Sequence, residues 1–441
     1  MDTKALFKSH IETLKKGYEK IFVELSIDSI VIDAGTPLYY FEDDQSMPYR
    51  PNHQFAHWCP LDGDGHMLLI QAGAKPKLLA NIPSDFWHEP THIEDSYWTD
   101  EFDVDVYSSR EAIWKALEAI KQTEKRLAYY GQDQKKATEI GLHTDIDKLI
   151  PRINWLRSYK TDYELQCLSE ASKLGATAHN AAKKSFLDGG SELDIYMAYL
   201  AAIRAREEEL PYQAIVCLNE AGSYLHYRAK RDHVKNGHSL LIDSGANFAG
   251  YASDITRTYA SPTASDHFKQ LLSAMDAMQL ELVDFVKPGV TMADVHYQSH
   301  IKLAEILIDH NILLNLKPED AVKDGFTNVF YPHGIGHMLG LLVHDVAGRQ
   351  IDPQGNSGEP DPRFPKLRSL RTLEERHVIT IEPGLYFIDL LLKPEKQSDR
   401  SKHYHWENID LLTPYGGIRI EDNIVLTKDA RRNLTREFLP H

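Results

Sequence analysis

Cysteine is scarce in this sequence. The 441 residues include three cysteines, which stand far apart at Cys59, Cys167 and Cys217. An odd and scattered set does not form a disulfide framework, and none of the three has the CxxC or Cys/His neighbours of a structural zinc site. The sequence therefore predicts reduced thiols and a cytoplasmic protein.

Long apolar runs and basic clusters are also missing. No stretch reaches the roughly 18 apolar residues of a membrane-spanning helix. The segment MDTKALFKSHIETLKKGYEK alternates charged with single apolar residues, which is typical of an amphipathic helix and not of a signal peptide. Lysine and arginine number 49 against 65 aspartates and glutamates, a net charge of −16. This balance argues against nucleic-acid and membrane partners, since both need a positive patch.

Several common catalytic motifs are absent. There is no P-loop, no GxSxG elbow and no cysteine nucleophile signature. The sequence therefore lacks the motifs of enzymes that bind phosphate in a P-loop and of hydrolases that form a covalent intermediate. The segment PHGIGHMLGLLVHD (332–345) has the His333-x-x-x-His337 spacing of a zincin, but Gly334 stands where that motif needs glutamate. Its glycines also fail the dinucleotide fingerprint, which needs a third glycine at Leu339.

What the sequence does contain is an ordinary globular composition. With 441 residues, 42% of them hydrophobic, the chain can bury a sizeable core and suggests two or three domains. Residues 1–155 alternate strand-like runs, such as SIVIDAG (29–35) and HMLLIQAG (66–73), with helical patches such as REAIWKALEAIKQTEKR. Residues 156–441 form a second predicted domain that begins with a long helix. The predicted class is mixed α/β (α+β).

A short internal similarity lies within the second domain. Residues 185–200 align with 285–300, so that Gly189 matches Gly289 and each is followed by Ser or Thr three residues before an aspartate. Both copies are typical of a helix, a glycine, a capping box and a further helix. Either the second domain is a pseudo-duplicated α/β unit or the match is chance.

The richest segment is HSLLIDSGANFAGYASDITRTY (238–259), in which two strand-like runs flank a turn at 247–250. If the hairpin is symmetric about that turn, Asp243 faces Asp254 directly. Like charges on opposed strand residues are destabilising, so a shared proton, a basic partner or a cation must neutralise them. Alternatively, a bulge shifts the register and both carboxylates face water.

More metal-binding side chains follow at strand ends. Glu382 precedes a Pro-Gly turn, and Glu421 lies in the β-branched run GGIRIEDNIVLT, where it shares a face with Arg419. A salt bridge with Arg419 is an equal alternative for Glu421. With Asp243 and Asp254 there are four carboxylates, which balance two divalent cations.

One imidazole completes this set, and His333, His337 and His344 are candidates that spacing alone does not separate. An oxygen-rich set with one imidazole suits Mn²⁺. Two ions about 3.5–4 Å apart would hold a bridging hydroxide and polarise a carbonyl. The constellation therefore predicts a peptide hydrolase.

At these residues the chain resembles the pita-bread metallopeptidases, which include methionine aminopeptidase, aminopeptidase P and prolidase. DSGANFAGYASDITRTY, PHGIGH, TIEPGLYF and GIRIED match the family's order of Asp, Asp, His, Glu and Glu. The resemblance is closest to the bacterial prolidases, a group that includes organophosphorus acid anhydrolases. It implies an N-terminal creatinase-like domain (1–155) and a C-terminal pita-bread catalytic domain (156–441).

The resemblance also implies the ligand roles. Asp254 and Glu421 correspond to two ligands that bridge the metals, Asp243 completes the second metal, and His337 with Glu382 completes the first. It thereby selects His337 among the three histidines. Glu382 would also carry a proton from the bridging water to the leaving nitrogen. The implied cofactors are two divalent ions, Mn²⁺ first, with Co²⁺ or Zn²⁺ as alternatives.

Other residues correspond to positions around the family's substrate. His226 and His344 match histidines that hold the scissile carbonyl and the proline side, and His333 is a further candidate for lining the pocket. Arg419 is expected to orient Glu421 and the substrate.

The substrate's free carboxylate is expected to meet Arg371 of LRSLRT (367–372), with Arg368 as the nearest rival. Segments FEDD (41–44) and FWHE (86–89) resemble segments that close over the neighbouring subunit's site, which implicates Asp44 and Trp87 across a homodimer.

The implied activity is hydrolysis of Xaa-Pro dipeptides by the bridging hydroxide, with organophosphorus esters as side substrates. The alternatives are aminopeptidase P, which accepts longer peptides, and a non-catalytic binding protein on the same fold.

Overall fold

The computed structural model describes residues 2–87, 89, 91–93 and 95–440. Its internal contacts form two compact units, Met1–Glu164 with Asp352–Gly355, and Leu165–Ile351 with Asn356–His441. Both units mix helices and strands, which confirms the predicted fold class. The first unit extends past the predicted domain boundary at residue 155 into the start of a long helix, and that boundary stays a prediction.

The first unit is built on a five-stranded sheet with the order β4-β3-β2-β1-β5, in which β3–β4 and β1–β5 are parallel pairs. Helix α1 places apolar side chains at helical spacing in the core, and the sequence predicted this amphipathic pattern. The elements are α1 (Thr3–Leu25), β1 (Ser29–Asp33), α2 (His53–Trp58), β2 (Met67–Gln71), β3 (Lys77–Asn81), β4 (Asp103–Tyr107), α3 (Arg110–Thr123), β5 (Leu127–Tyr130), α4 (Gln134–Glu139) and α5 (Leu149–Arg157).

The second unit contains short sheets that pack against helices. Strands β10-β7-β6 and β11-β14-β15 form two three-stranded antiparallel sheets, and β12–β13 and β8–β9 form two pairs. Its elements are α6 (Asp162–Leu187, which begins in the first unit), α7 (Glu192–Ile203), β6 (Ile215–Leu218), β7 (Ser239–Asp243), β8 (Asn247–Phe248), β9 (Tyr251–Ala252), β10 (Thr256–Ala260), α8 (Asp266–Phe285), α9 (Met292–Asp309), α10 (Pro318–Lys323), α11 (Phe326–Phe330), β11 (Val378–Ile381), β12 (Gly384–Tyr386), α12 (Asp389–Lys396), α13 (Trp406–Leu412), β13 (Gly417–Arg419), β14 (Asp422–Leu426) and β15 (Arg431–Asn433).

The two similar segments of the second unit share their local geometry. Helices α7 and α9 both begin with a capping box, formed by Ser191 with Asp194 and by Thr291 with the aspartate three residues on. Gly189 and Gly289 precede them with φ of 86° and 92°, a region that favours glycine. The predicted helix–glycine–cap–helix pattern is therefore confirmed in both copies.

The register of the central hairpin differs from the prediction. Ala249 and Gly250 form the two-residue turn with φ of 49° and 83°, so the centre of the hairpin lies one residue later than predicted. As a result Asp243 pairs with Thr256, and Asp254 lies between strands β9 and β10. The predicted direct pairing of Asp243 with Asp254 was wrong by two residues.

Two further findings concern the absences noted in the sequence. The three cysteines are free and buried, as expected of reduced core thiols. Among the described residues, no helix is both long enough and apolar enough to cross a bilayer.

Candidate metal centre and substrate cavity

The second unit contains a cavity of about 870 Å³. It has the size of a small-molecule site and combines apolar with charged walls. The predicted site residues that line it are His226, Asp243, Asp254, His333, His337, His344, Glu382, Arg419 and Glu421, together with Arg368, the rival to Arg371.

Three of these side chains form a tight cluster at the cavity floor. Ligand atoms of Asp254, His337 and Glu421 all lie within 4.8 Å of one another. The His337 Nε2 atom is 3.4 Å from Asp254 Oδ2 and 3.9 Å from Glu421 Oε1. Glu382 Oε1 lies 3.7 Å from the same nitrogen, which adds a third carboxylate. The structure therefore brings three of the four predicted carboxylate ligands around the imidazole nitrogen of the fifth ligand, His337.

The backbone fixes the tautomer of His337. Its Nδ1 lies 3.0 Å from the carbonyl oxygen of Met338, which can only accept, so Nδ1 carries the hydrogen and donates. The Nε2 atom then faces the carboxylates, where either a hydrogen or a metal ion can lie between them. This arrangement, with one ring nitrogen tied to a backbone carbonyl, is the usual one for a histidine that binds a metal.

Asp243 joins the cluster through a tyrosine that the sequence did not reveal. The Tyr212 hydroxyl oxygen lies 2.7 Å from Asp243 Oδ1 and 2.5 Å from Asp254 Oδ1. A hydroxyl has one hydrogen, so it can donate to only one of these carboxylates at a time. The other contact needs a proton on a carboxylate or a cation near both, and the residues therefore fit a metal site.

Burial and mutual repulsion perturb the acidic groups. Burial raises the pKa of Asp243, with Arg419 opposing and Asp254 adding to the shift. Burial and the charge of Asp254 raise the pKa of Glu421 well above its ordinary value. Burial raises the pKa of Glu382 to about 7, although His337 opposes the shift. Burial would also raise the pKa of Asp254, but His337 and Tyr212 outweigh it and hold that pKa below its ordinary value. Such a set stores repulsion that a cation would relieve.

Glu382 should make the metal-stripped protein less stable at high pH. Its pKa in the fold, about 7, lies above its ordinary value of 4.5. The protonated Glu382 carboxyl therefore contributes its full stabilisation of the fold below about pH 4.5, and this contribution is lost as the pH rises through 7. After chelator treatment, Glu382→Gln should raise the melting temperature at pH 8 by a few degrees and leave it unchanged at pH 4. Thermal melts across this range test this, with exposed Glu359→Gln as the control. An equal rise at both pH values would contradict it.

One carboxylate oxygen of Glu421 receives no hydrogen bond from the described residues. Its Oε2 accepts from the Thr256 hydroxyl at 2.8 Å, but the buried Oε1 accepts no hydrogen bond from any described residue. The predicted alternative was a salt bridge from Glu421 to Arg419. The Arg419 guanidinium instead ion-pairs with Asp243 at 2.7 Å, and its Nε donates to Thr256. Arg419 therefore reaches Glu421 through a hydroxyl, and Oε1 is aimed at the cluster.

A directed chain of hydrogen bonds connects Arg419 to His333. Arg419 Nη1 donates to the Tyr386 hydroxyl at 2.8 Å, and that hydroxyl lies 2.8 Å from His333 Nε2. The Nδ1 of His333 donates to the Gly334 carbonyl at 2.9 Å. Because Nδ1 carries the hydrogen, Nε2 must accept from Tyr386. Burial lowers the pKa of His333 to about 3, so the ring is neutral at pH 7.

The two remaining histidines stand beside the cluster. The ring of His344 packs against His337 edge-on, with centroids 4.4 Å apart. Burial, followed by the charge of His337, lowers the pKa of His344 to about 4. His226 is exposed on a segment without regular secondary structure and faces the same cavity. Both lie where they can contact a ligand.

The structure separates the two arginines of LRSLRT by their exposure. Arg371 is 2% exposed and does not line the cavity. Its Nη2 lies 3.1 Å from His377 Nε2 and 3.5 Å from Glu374 Oε1, so its guanidinium is used inside the protein. Arg368 is exposed and lines the cavity. The sequence could not distinguish them because the loop buries one and exposes the other.

Asp44 and Trp87 belong to the first unit. Both side chains are exposed, and Trp87, 77% exposed, packs on its neighbour Phe86 with ring centroids 4.7 Å apart. Position 88 of the FWHE segment lies outside the described residues. The role of Asp44 and Trp87 in a second subunit's site stays a prediction.

Tyr212 and Tyr386 are the residues that sequence reasoning missed. Tyr212 precedes β6 and has no motif around it, so no local signal could identify it. Tyr386 lies in the same short segment TIEPGLYF as the predicted ligand Glu382, and this position was the available signal.

Comparisons with known proteins agree with this geometry. Residues 166–428 match the model of metallopeptidase family M24, and residues 5–155 match that of the Xaa-Pro dipeptidase N-terminal domain. Proteins named Xaa-Pro dipeptidase are similar from end to end. That of Pseudoalteromonas atlantica is 40% identical over 439 residues, and that of Shewanella woodyi is 41% identical over 435 residues. Each match covers 98% of this chain and 98% of the relative.

Solved structures agree at the level of the fold. Escherichia coli aminopeptidase P with the inhibitor Pro-Leu matches with a TM-score of 0.74 and 20% identity, over 99% of this chain and 95% of that one. Its low-pH form gives a TM-score of 0.76 with the same identity and coverage. The likeness to aminopeptidase P is therefore one of fold, whereas the relatives at about 40% identity are dipeptidases. The chain belongs to metallopeptidase family M24, as a hydrolase of the prolidase branch with the pita-bread fold.

Proposed function

We propose that this protein hydrolyses dipeptides whose second residue is proline, with two divalent metal ions held by Asp243, Asp254, His337, Glu382 and Glu421. The observation that carries the proposal is the convergence of three carboxylates, two of them buried, on His337 Nε2 in a small cavity. The relatives at about 40% identity, which are named Xaa-Pro dipeptidases, support the substrate class.

The donor set supports the metal part of the proposal. The unused Glu421 Oε1 and the doubly contacted Tyr212 hydroxyl are what a metal pair would satisfy. When bound, two divalent ions supply Lewis-acid polarisation and a water acidic enough to ionise near neutral pH. Four carboxylates with one imidazole favour manganese, with cobalt and zinc as alternatives.

Each side chain that lines the cavity has its own proposed role in the reaction. Glu382, whose carboxylate lies at the cluster, would take a proton from the attacking water and pass it to the proline nitrogen. His226 and His344 face the cavity and would contact the scissile carbonyl. Arg419 holds Asp243 in place through its ion pair. His333 is kept neutral with its Nε2 occupied by Tyr386, so it lines the pocket and does not transfer a proton.

We propose that Arg368 binds the free carboxylate of the substrate. It lines the cavity and is exposed there, and a guanidinium pairs well with a carboxylate. A peptide extended beyond proline lacks that carboxylate and leaves the arginine without its partner. This arrangement favours dipeptides over longer peptides.

We also propose side substrates, a cellular compartment and an oligomeric state. A tetrahedral phosphorus centre resembles the tetrahedral intermediate of amide cleavage, so some organophosphorus esters should be slow side substrates. The three free cysteines fit a reducing, cytoplasmic setting. A homodimer would complete the pocket with Asp44 and Trp87 of the second subunit.

A substrate panel tests the proposed activity. Protein stripped with a chelator and reloaded separately with manganese, cobalt or zinc should cleave Ala-Pro much faster than Ala-Pro-Gly, and elemental analysis should find two metal ions per chain. The stripped protein should be inactive on both. Equal rates on the two peptides would instead assign an activity of the aminopeptidase P type.

His344→Ala should separate metal binding from catalysis. His344 touches His337 through its ring but is not among the proposed ligands. We expect two bound metals and a kcat lowered by about 10²–10³-fold, the usual cost of one lost transition-state contact. Metal analysis and steady-state kinetics on Ala-Pro measure both, with His337→Ala as the matched variant that should lose metal. Loss of metal from His344→Ala would contradict the choice of His337.

A further inference from the structure

Glu192 lies outside the cavity, yet it is among the most heavily used carboxylates in the second unit. It is the first residue of α7 and is fully buried, with 0% exposure. Its Oε1 accepts from Leu218 N at 2.9 Å and from Arg231 Nε and Nη2 at 3.1 and 2.7 Å. Its Oε2 accepts from the Tyr227 hydroxyl at 2.9 Å and from Arg231 N at 2.8 Å. Both oxygens are therefore saturated by donors from one stretch of chain.

That stretch carries His226. Leu218 ends β6, Tyr227 follows His226 directly, and Arg231 lies four residues beyond Tyr227. From residue 224 to 238 the backbone has no regular helix or strand. The carboxylate thus replaces the ladder of hydrogen bonds that would otherwise hold this segment.

The two neighbours of His226 line the same cavity and are also held by apolar packing. Leu225 and Tyr227 pack on a small apolar cluster that includes Cys217, Leu241 and Tyr386. The His226 ring is exposed on the cavity side. Its position is therefore set by the backbone on either side, and the Tyr227 hydroxyl ties that backbone to Glu192.

We infer that Glu192 is a positioning residue for catalysis, which acts by holding the His226 segment at the cavity wall. The alternative is an ion pair of purely structural value, because Arg231 also contacts Glu220. The hydrogen bonds from the Tyr227 hydroxyl and the Arg231 backbone favour the positioning role over the purely structural one. They hold the backbone of the His226 segment as well as the Arg231 guanidinium. The inference rests on the proposed function, in which His226 contacts the scissile carbonyl.

A double-mutant cycle tests it on the metal-loaded full chain with Ala-Pro as substrate. Glu192→Gln places an amide NH₂ against a set made only of donors, so the segment should shift. A displacement of about 1 Å costs on the order of 10²-fold in rate. We expect kcat to fall by about 10- to 10²-fold with KM changed less than about 3-fold and two metals still bound. In a His226→Ala background the same change should cost less than about 3-fold, because coupled residues are not additive.

Glu220→Gln is the matched control. It removes an exposed carboxylate from the same arginine and should leave kcat unchanged. Tyr227→Phe serves if Glu192→Gln fails to fold, since it deletes one hydroxyl on the same carboxylate. It should lower kcat by about 3- to 10-fold, again only when His226 is present.

Losses that multiply in the double variant, loss of metal, or unchanged kcat would each overturn the role of Glu192. The cycle also separates this inference from the proposed function. If the wild-type protein does not hydrolyse Ala-Pro, the proposed function is wrong. If it does and the losses multiply, only the positioning role is wrong.

Discussion

Asp254→Asn is expected to abolish hydrolysis by removing the metals. Asp254 is buried between His337, 3.4 Å away, and the Tyr212 hydroxyl, 2.5 Å away. Asp254 would help to hold both ions, so the amide would remove one negative charge that the metal site needs. Metal content should fall from two ions per chain to less than one, and kcat/KM on Ala-Pro should fall on the order of 10³-fold or more, because water acidification and carbonyl polarisation are both lost.

The metal-free Asp254→Asn protein should nevertheless stay folded. Although burial opposes it, His337 and Tyr212 keep Asp254 ionised with a pKa below its ordinary value, so the charge contributes stability and the chelated variant should melt cooperatively, a few degrees below the chelated wild type. Elemental analysis, kinetics and melting curves read the three effects separately. Asp266→Asn is the control, an exposed aspartate at the start of α8. Two metals bound to inactive Asp254→Asn would contradict the ligand role.

Arg368→Met is expected to remove selectivity for dipeptides. A charge-assisted hydrogen bond contributes about 1.5–3 kcal/mol, which corresponds to a fall of about 10- to 10²-fold in kcat/KM on Ala-Pro. Ala-Pro-Gly lacks a carboxylate on proline, so its rate should change less than about 3-fold. The ratio of the two rates therefore narrows, and most of the loss should appear in KM if the carboxylate is held equally in ground and transition states.

Arg371→Met is the matched variant, three residues away in the same loop. Its guanidinium is buried against His377 and Glu374, so its loss should lower the melting temperature and reduce both peptide rates together. Cleavage of Ala-Pro by Arg368→Met at the wild-type rate would show that another group binds the substrate's carboxylate.

Local chemistry accounts for what could be predicted from the sequence. The buried strands β1 and β2, the amphipathic α1 and the capping boxes at α7 and α9 each follow from side-chain periodicity or from one short motif. The grouping of Asp254, His337 and Glu421 was also predicted. There the resemblance in ligand order selected one histidine among three, which spacing could not do.

The errors share a different origin. The hairpin register was misjudged because the turn uses Ala249 at φ 49°, a conformation that alanine rarely adopts, so the composition gave no signal for it. The sequence could not separate Arg371 from Arg368, because the burial of Arg371 depends on its contacts with His377 and Glu374. Tyr212 was missed because its partners, Asp243 and Asp254, lie 31 and 42 residues away along the chain.

The backbone bridge between Thr256 and Glu421 has a consequence for how the enzyme matures. These residues are 165 positions apart, and the backbone and side-chain bonds between them assemble the cluster. Contacts of such long range form slowly and late. We therefore expect a nascent chain to reach a nearly complete fold before its ligands meet, so that the cell's metal supply governs the yield of active enzyme after folding and not the folding itself.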